Sequence, residues 1–259
     1  MDVFHQKLEV LKSIMETEGS FDVKRAASLI ADLKNSLIDS PYLTNQEWTL
    51  DKTERINFRT LLEYDAIVCI KTRAISDFSR VMTQLRFSYF SSPDLPPSDR
   101  MPLLVSINLI HLLSTNDISE FQIEYQHAKD LIGNNKYVSY VTEVYRLLAD
   151  NSFTRLFPII AAPPSDLFTQ FASDLLNNTR NNHADSIEKS YEKLHINEIK
   201  KLLHFNTIED TQAFATKRGW TFDENGYALF KANSEQKAKL TEKSVERFVD
   251  LAIQISSFA

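Results

Sequence analysis

A chain of 259 residues, 43% hydrophobic and 25% charged, has the composition of a soluble globular protein with room for one large or two modest domains. A formal net charge of -6 opposes general attraction to nucleic acid, and a single cysteine, Cys69, excludes an internal disulfide framework or a multi-cysteine zinc site. No apolar run approaches the roughly 18 to 20 residues of a membrane span, and Met1-Asp2-Val3-Phe4-His5-Gln6 lacks the basic start of a secretory leader, so the expected location is cytoplasm and nucleus.

The first part of the chain reads as consecutive helices. Phe4, Leu8, Leu11 and Ile14 recur at spacings of three and four, and Val23, Ala26, Ala27, Ile30, Leu33 and Leu37 form a second such stripe. Pro41 and the polar stretch around Asn45 interrupt the pattern, after which 54–74 and 76–89 predict a pair of long helices. The segment 91–98, with Pro93, Pro96 and Pro97, cannot continue a helix and predicts a loop. Helices follow at 101–113, 118–129, 137–149 and 153–160, with Asn116 or Asp117 as the N-cap of the second. Helix pairs divided by short polar breaks predict an irregular, TPR-like solenoid, although no clean 34-residue period is present. Cys69, within AIVCI, is expected to be an inert core thiol. Ala161-Ala162-Pro163-Pro164-Ser165 marks the junction, and three helices are expected between it and the next recognisable element.

That element spans 197–230. NEIKKLLHF predicts a helix, and Thr207 with Asp210 three residues later resembles a capping box opening another. Gly219, after Lys217 and Arg218, stands where a left-handed helix end is expected. Two β-type runs, 220–222 and 227–230, flank Asp223-Glu224-Asn225-Gly226, a turn suited to a hairpin. Helix, turn, helix and hairpin in that order predict a winged helix. Beyond the polar stretch 232–240, residues 242–258 predict a final helix carrying Phe248, Leu251, Ile255 and Phe258 on one face. An isolated helix of that length is marginal in water, so the face needs cover from the chain's own core or from a partner. The expected organisation is a helical-repeat region at 1–162, helices and winged helix at 163–231, and a linker with its terminal helix at 232–259.

Catalytic signatures are missing from the sequence. Its six histidines form no H-E-x-x-H pattern, and with only four glycines there is no nucleophile elbow, phosphate loop or dinucleotide-binding turn. Asp185, Glu188 and Glu192, interleaved with Lys189 and Lys193, read as a solvated helix face, and Asn177-Asn178-Thr179 reads as a polar helix end. No catalytic, cofactor or metal site is expected. DNA reading by the second helix, 209–218, is disfavoured because Glu209 and Asp210 lead it and only Lys217 and Arg218 are basic. Asp223 and Glu224 make the hairpin tip equally unsuited to phosphate.

Helical repeats followed by a winged helix resemble the PCI domain, shared by the proteasome lid, the COP9 signalosome and translation initiation factor 3. DFSRVMTQLRFSYF (77–90), INLIHLLSTNDISEF (107–121), YVSYVTEVYRLLADNSFTRLF (137–157), SIEKSYEKL (186–194), ATKRGW (215–220) and DENGYALF (223–230) are similar to the small PCI subunits of the regulatory-particle lid. The resemblance covers 55–230 well and the first 50 residues weakly, and Ser106 stands where a glycine is expected. It implies a non-catalytic scaffold without cofactor, held in a hetero-oligomer with other PCI subunits and the remaining lid subunits, with no nucleic acid or membrane partner. Lid assembly and ubiquitin-dependent proteolysis are its implied context. Neighbouring winged helices in such assemblies join through their small sheets, which here points to Trp220, Phe222, Tyr227, Leu229 and Phe230. Terminal helices gather in a bundle, which points to Phe248, Leu251, Ile255 and Phe258. A scaffold of the signalosome or the initiation factor is the near alternative, and a nucleic-acid-binding winged helix the distant one.

Overall fold

A computed structural model describes residues 2–16, 22–36, 51–90, 94–133 and 135–230. The expected break around Pro41 and Asn45, Leu37 of the second stripe, the 232–240 linker and the 242–258 helix lie outside the described residues. The chain divides into two compact units, one of residues 1–150 and 159–175 and the other of 151–158 and 176 onward.

The first, or repeat, unit is built from α1 (Asp2–Glu16), α2 (Val23–Ser36), α3 (Lys52–Thr72), α4 (Ile75–Phe90), α5 (Met101–Ser114), α6 (Ile118–Ile132) and α7 (Lys136–Ala149). It also takes the end of α8 (Phe153–Ala161), a 3-10 turn at Asp166–Phe168 and the start of α9 (Thr169–Ser190). Helices adjacent in sequence pack on each other from α1 to α7, as expected of stacked pairs. The predicted stripes face inward: Phe4, Leu8 and Leu11 of α1 and Ala26, Ile30 and Leu33 of α2 are buried. The ends follow local chemistry. Asp51 caps α3 by accepting from the Lys52 amide, and Asp117 caps α6 by accepting from the Glu120 amide. Between α3 and α4 the chain turns at Arg73, whose φ of 60° closes α3 in a left-handed cap.

This unit also buries charge. Glu63 on α3 accepts from the Tyr89 hydroxyl of α4 at 3.0 Å and lies 3.8 Å from the guanidinium groups of both Arg59 and Arg100. Burial, reinforced by Glu63, raises the Tyr89 hydroxyl far above the ordinary range. Arg59 also donates to the Pro96 carbonyl at 2.7 Å and Arg55 to Asp94 at 2.8 Å, which ties the proline loop to α3. Asn108, on a helix α5 buried on nearly every side, donates to Glu124 of α6, and Arg86 of α4 approaches the same carboxylate at 3.6 Å.

The second, or winged-helix, unit holds the start of α8, the remainder of α9, β1 (Lys193–His195), α10 (Ile196–Leu202), α11 (Ile208–Lys217), β2 (Thr221–Phe222) and β3 (Tyr227–Leu229). Its strands form an antiparallel sheet in the order β1-β3-β2. The expected mainly helical fold with a small sheet is therefore present, with two corrections. A 3-10 turn and one 22-residue helix, α9, stand where three helices were expected after the junction, since Asn177, Asn178, Asn181 and Asn182 lie within the helix without breaking it. That helix also stops at Ser190, and the expected two-stranded hairpin gains β1 from residues read as helical. Among the described residues, no helix is long and apolar enough to cross a membrane.

Candidate functional site

The winged helix is assembled by backbone geometry as much as by its core. Thr207 opens α11, its hydroxyl oxygen accepting from the Asp210 amide at 3.1 Å while its proton goes to the Asp210 carboxylate at 2.8 Å. At the other end Gly219, with φ of 77°, lets the Gly219 amide reach the Thr216 carbonyl and the Trp220 amide reach the Ala215 carbonyl. That pair of bonds is a Schellman closure, and it points the chain into β2. The Asp223 carboxylate then accepts from the Asn225 and Tyr227 amides, and Gly226 supplies the positive φ that returns the chain as β3.

Beneath the sheet lies an apolar cluster of Ala184 and Ile187 from α9, Ile199 and Leu203 from the α10 region, Ala215 from α11, and Trp220, Ala228 and Phe230. Leu194 and Phe222 pack against it from the flanking strands. The Trp220 ring meets Phe230 edge-on at 5.0 Å and Phe214 at 6.0 Å, and its indole N–H donates to Glu188 at 2.6 Å. Each large side chain buried here contributes on the order of 1.5–3 kcal/mol.

Two arginines tie helix ends to this core. Arg180 donates to the carbonyls of Leu203 and His204 at 3.0 and 2.9 Å, satisfying the end of α10 where His204 takes a φ of 51°. Arg218, ending α11, donates to Glu188 at 2.9 Å and to Asp185. Burial works against its charge, but the bonds to Asp185 and Glu188 prevail and raise its pKa above the ordinary value. Asp185 and Glu188 are thus engaged with the end of α11, which corrects their reading as part of a merely solvated face.

The sheet's opposite face carries its exposed groups. Alternation turns Ala228 inward and Tyr227 and Leu229 outward, where they are 36% and 39% exposed. In register, Leu229 lies between Thr221 and Lys193, and Tyr227 lies beside His195. The Lys193 ammonium stands 5.5 Å from the Tyr227 ring centroid, and the His195 ring meets Tyr227 edge-on at 5.2 Å. Among the described residues β3 is the central strand, with β1 and β2 on either side of it.

The sequence-predicted sheet residues therefore fall on two sides. Tyr227 and Leu229 stand on the open face; Trp220 and Phe230 are buried in the cluster, with Phe222 packed against it. The other predicted contact, Phe248, Leu251, Ile255 and Phe258, lies outside the described residues. Sequence reading missed Lys193 and His195. The available signal was the alternation of Leu194 and Ile196 with polar neighbours just after Tyr191 and Glu192. In the repeat unit a cleft of about 680 Å³ mixes Arg73 and Arg100 with Asp166 and Asp174, and it contains none of the predicted residues. Among the described residues, no three His, Cys, Asp or Glu side chains gather to hold a metal ion.

The chain is similar to known proteins over this region and well beyond it. A model of the CSN8/PSMD8/EIF3K family matches residues 99–240, more than half of the chain. The 26S proteasome regulatory subunit rpn12 of Schizosaccharomyces pombe is 30% identical over 174 residues, 66% of this chain and 64% of that protein, so the match spans just under two thirds of that relative. RPN12 of Saccharomyces cerevisiae is 28% identical over 215 residues, 77% of this chain and 78% of the yeast protein. The 26S proteasome non-ATPase regulatory subunit 8 of Caenorhabditis elegans is 25% identical over 181 residues, 69% of this chain and 71% of its own. With a family match across more than half its length, the chain belongs to the CSN8/PSMD8/EIF3K family.

Proposed function

We propose that this chain is a non-catalytic scaffold subunit of the proteasome regulatory-particle lid, supporting lid assembly and thereby ubiquitin-dependent protein degradation in cytoplasm and nucleus. The observation that carries the reading is its similarity to proteasome regulatory subunits of two yeasts and a nematode across 66% to 77% of its length. The winged-helix unit supports it by offering, among the described residues, an open sheet face suited to a protein partner. Other PCI subunits are the proposed partners at the sheet, and the 242–258 segment is proposed to join a helix bundle with them. Engagement of Arg218 by Asp185 and Glu188 supports the absence of a nucleic-acid role, since it occupies one of the two basic groups on α11.

A second reading is favoured by one specific observation, the breadth of the matching family, whose name joins CSN8 and EIF3K to PSMD8. Native mass spectrometry of a tagged copy from its own cells separates the two. Co-purification with lid subunits in fixed stoichiometry is the expected outcome. Recovery with signalosome or initiation-factor subunits instead favours the second reading, and recovery as a free monomer overturns both. Ending the chain near Leu240 is expected to leave a folded protein that recovers far fewer lid subunits; normal assembly by that truncation would remove the terminal helix from the proposed contacts.

A further inference from the structure

Two aromatic rings help to hold the start of α8 on the winged-helix unit. The Phe153 ring lies 4.2 Å from the ring of His183 on α9, centroid to centroid, and Phe157, one turn on, lies 5.2 Å from the ring of His204 just past α10. Arg180, one turn before His183, stands 5.7 Å from the Phe157 centroid and 4.5 Å from that of Phe205. Its bonds to the Leu203 and His204 carbonyls keep it there. A guanidinium and two imidazoles thus gather around the same two phenylalanines. Along α9 the residues three and four positions from His183 are Thr179, Arg180, Ser186 and Ile187, none of them acidic. Among the described residues Asp185 and Glu188 of α9 bond Arg218, Glu198 of α10 bonds Lys201, Glu209 of α11 is exposed and Asp210 acts on Arg180. The remaining charges on α8 and α10, Arg155 and Lys200, are basic.

We propose that His183 and His204 form an acid-sensitive latch, in which the first turns of α8 stay packed on α9 and the end of α10 while both rings are neutral and are released when the rings take up protons. The Nδ1 atom of His183 is buried and has no hydrogen-bond partner among the described residues. A neutral imidazole can leave that nitrogen bare and carry its proton on Nε2, whereas an imidazolium must bury an N–H there. It would also share the Phe153 and Phe157 rings with His204 and Arg180, and a weak cation–π contact with Phe153 is the return. Arg180 cannot swing clear while it bonds two carbonyls, so repulsion is relieved by parting the rings. Burial, and after it the neighbouring His204, lowers the His183 pKa from the ordinary 6.5. A ring that takes a proton less readily in the folded chain contributes its full stability above that ordinary value, and the contribution is lost as pH falls below it. The latch is a property of the chain itself and stands apart from the scaffold reading.

Amide hydrogen exchange of the full-length chain tests this. Wild type and His183→Gln, which is neutral throughout, are compared with each other at about pH 7.5 and again at about pH 5.5, so that the intrinsic chemical rate cancels within each pair. The ratio of wild-type to variant exchange at the Leu156 and Phe157 amides is expected to rise by at least about threefold at the lower pH, with α5 amides unchanged. His204→Asn, whose side chain tolerates the φ of 51° at that position, removes the second imidazole and is expected to leave a smaller rise. A ratio that stays flat overturns the latch, and so does an equal rise in α5, which would mean general acid unfolding. An NMR titration of the His183 ring in the wild-type chain needs no variant and decides the matter should His183→Gln fail to fold. Titration of that ring below a free histidine peptide is expected; titration at or above the peptide value overturns the proposal.

Discussion

The repeat unit and the winged-helix unit fix their geometry by different means. In the repeat unit, charged groups are buried between helices: Arg59, Glu63, Asp65 and Glu124 are each less than 7% exposed. In the winged-helix unit the core cluster is apolar, and its ionic contact, Arg218 with Asp185 and Glu188, lies at the rim. The difference follows from what each architecture must specify. Stacked helix pairs present similar stripes of Leu, Ile and Phe, which could slide by a turn and still bury apolar surface. A buried carboxylate is satisfied at one register only, so the Glu63 cluster distinguishes arrangements that hydrophobicity alone treats alike. The winged helix has less need of such a device. Its register is set by a capped helix, a Schellman closure, a tight hairpin and a strand ladder.

Removing the largest side chain of the apolar core is the severest test of that contrast. Trp220→Ala is expected to destabilise the winged-helix unit by about 3–5 kcal/mol, since the indole is 8% exposed and wedged between Phe214 and Phe230. Hydrogen exchange should show faster exchange in α11 and the sheet, with amides of α3 to α6 protected as before. Loss of protection in both units together would mean that the apolar core supports the whole chain.

Next in size is the buried charge. Glu63→Gln keeps the shape of the side chain but removes the charge facing Arg59 and Arg100, and is expected to cost about 1.5–3 kcal/mol in chemical denaturation. If Glu63 specifies register, the variant should also broaden the NMR signals of α3, α4 and α5. A cost without broadening would reduce the cluster to an ordinary set of polar contacts.

How far the sequence disclosed these arrangements depends on the range of the forces involved. Helices α3 to α8 were legible to within a few residues because spacing, prolines and caps act locally; Asp117, Thr207 and Gly219 behave as their neighbours dictate. β1 was not legible, because three residues become a strand only through β3, more than thirty positions away. Distance also hid the Glu63 cluster, which requires α3 to meet Tyr89 and Arg100, and the engagement of Asp185 and Glu188 by Arg218. At the candidate surface, the hairpin was readable but not its faces. Pattern alone could not tell that Trp220 and Phe230 turn into the core while Tyr227 and Leu229 turn out.

A smaller effect is expected at the backbone device that replaces buried charge in the winged-helix unit. Gly219→Ala meets no atom within 4 Å, so its cost comes from holding a side-chain-bearing residue at a φ of 77°. That is about 1–2 kcal/mol, read as a lowered melting temperature. An unchanged melt would show that the Schellman closure can be replaced by another helix end, and that the apolar core alone sets the geometry.

The smallest effect should be a gain in the repeat unit, and it probes how completely that unit satisfies the polar groups it buries. Ser106 sits on α5 with 0% exposure, at the position where resemblance suggested glycine, and its hydroxyl has no hydrogen-bond partner among the described residues. Two positions on, Asn108 is also buried but donates to Glu124. The two differ in whether the polar atom has a partner, and an unsatisfied buried hydroxyl is destabilising whereas a paired one is not. Ser106→Ala keeps the β-carbon, raises helix propensity and removes the orphan oxygen, so it should stabilise the chain by about 0.5–1 kcal/mol, while Asn108→Ala should destabilise it by leaving Glu124 short of a donor. Paired melts of the two variants decide the matter. Opposite signs would show that the repeat unit pairs Asn108 but buries the Ser106 hydroxyl unpaired at a cost; a destabilised Ser106→Ala would instead mean that the hydroxyl is satisfied, for instance by a trapped water, and that the repeat unit pairs what it buries at this position as well.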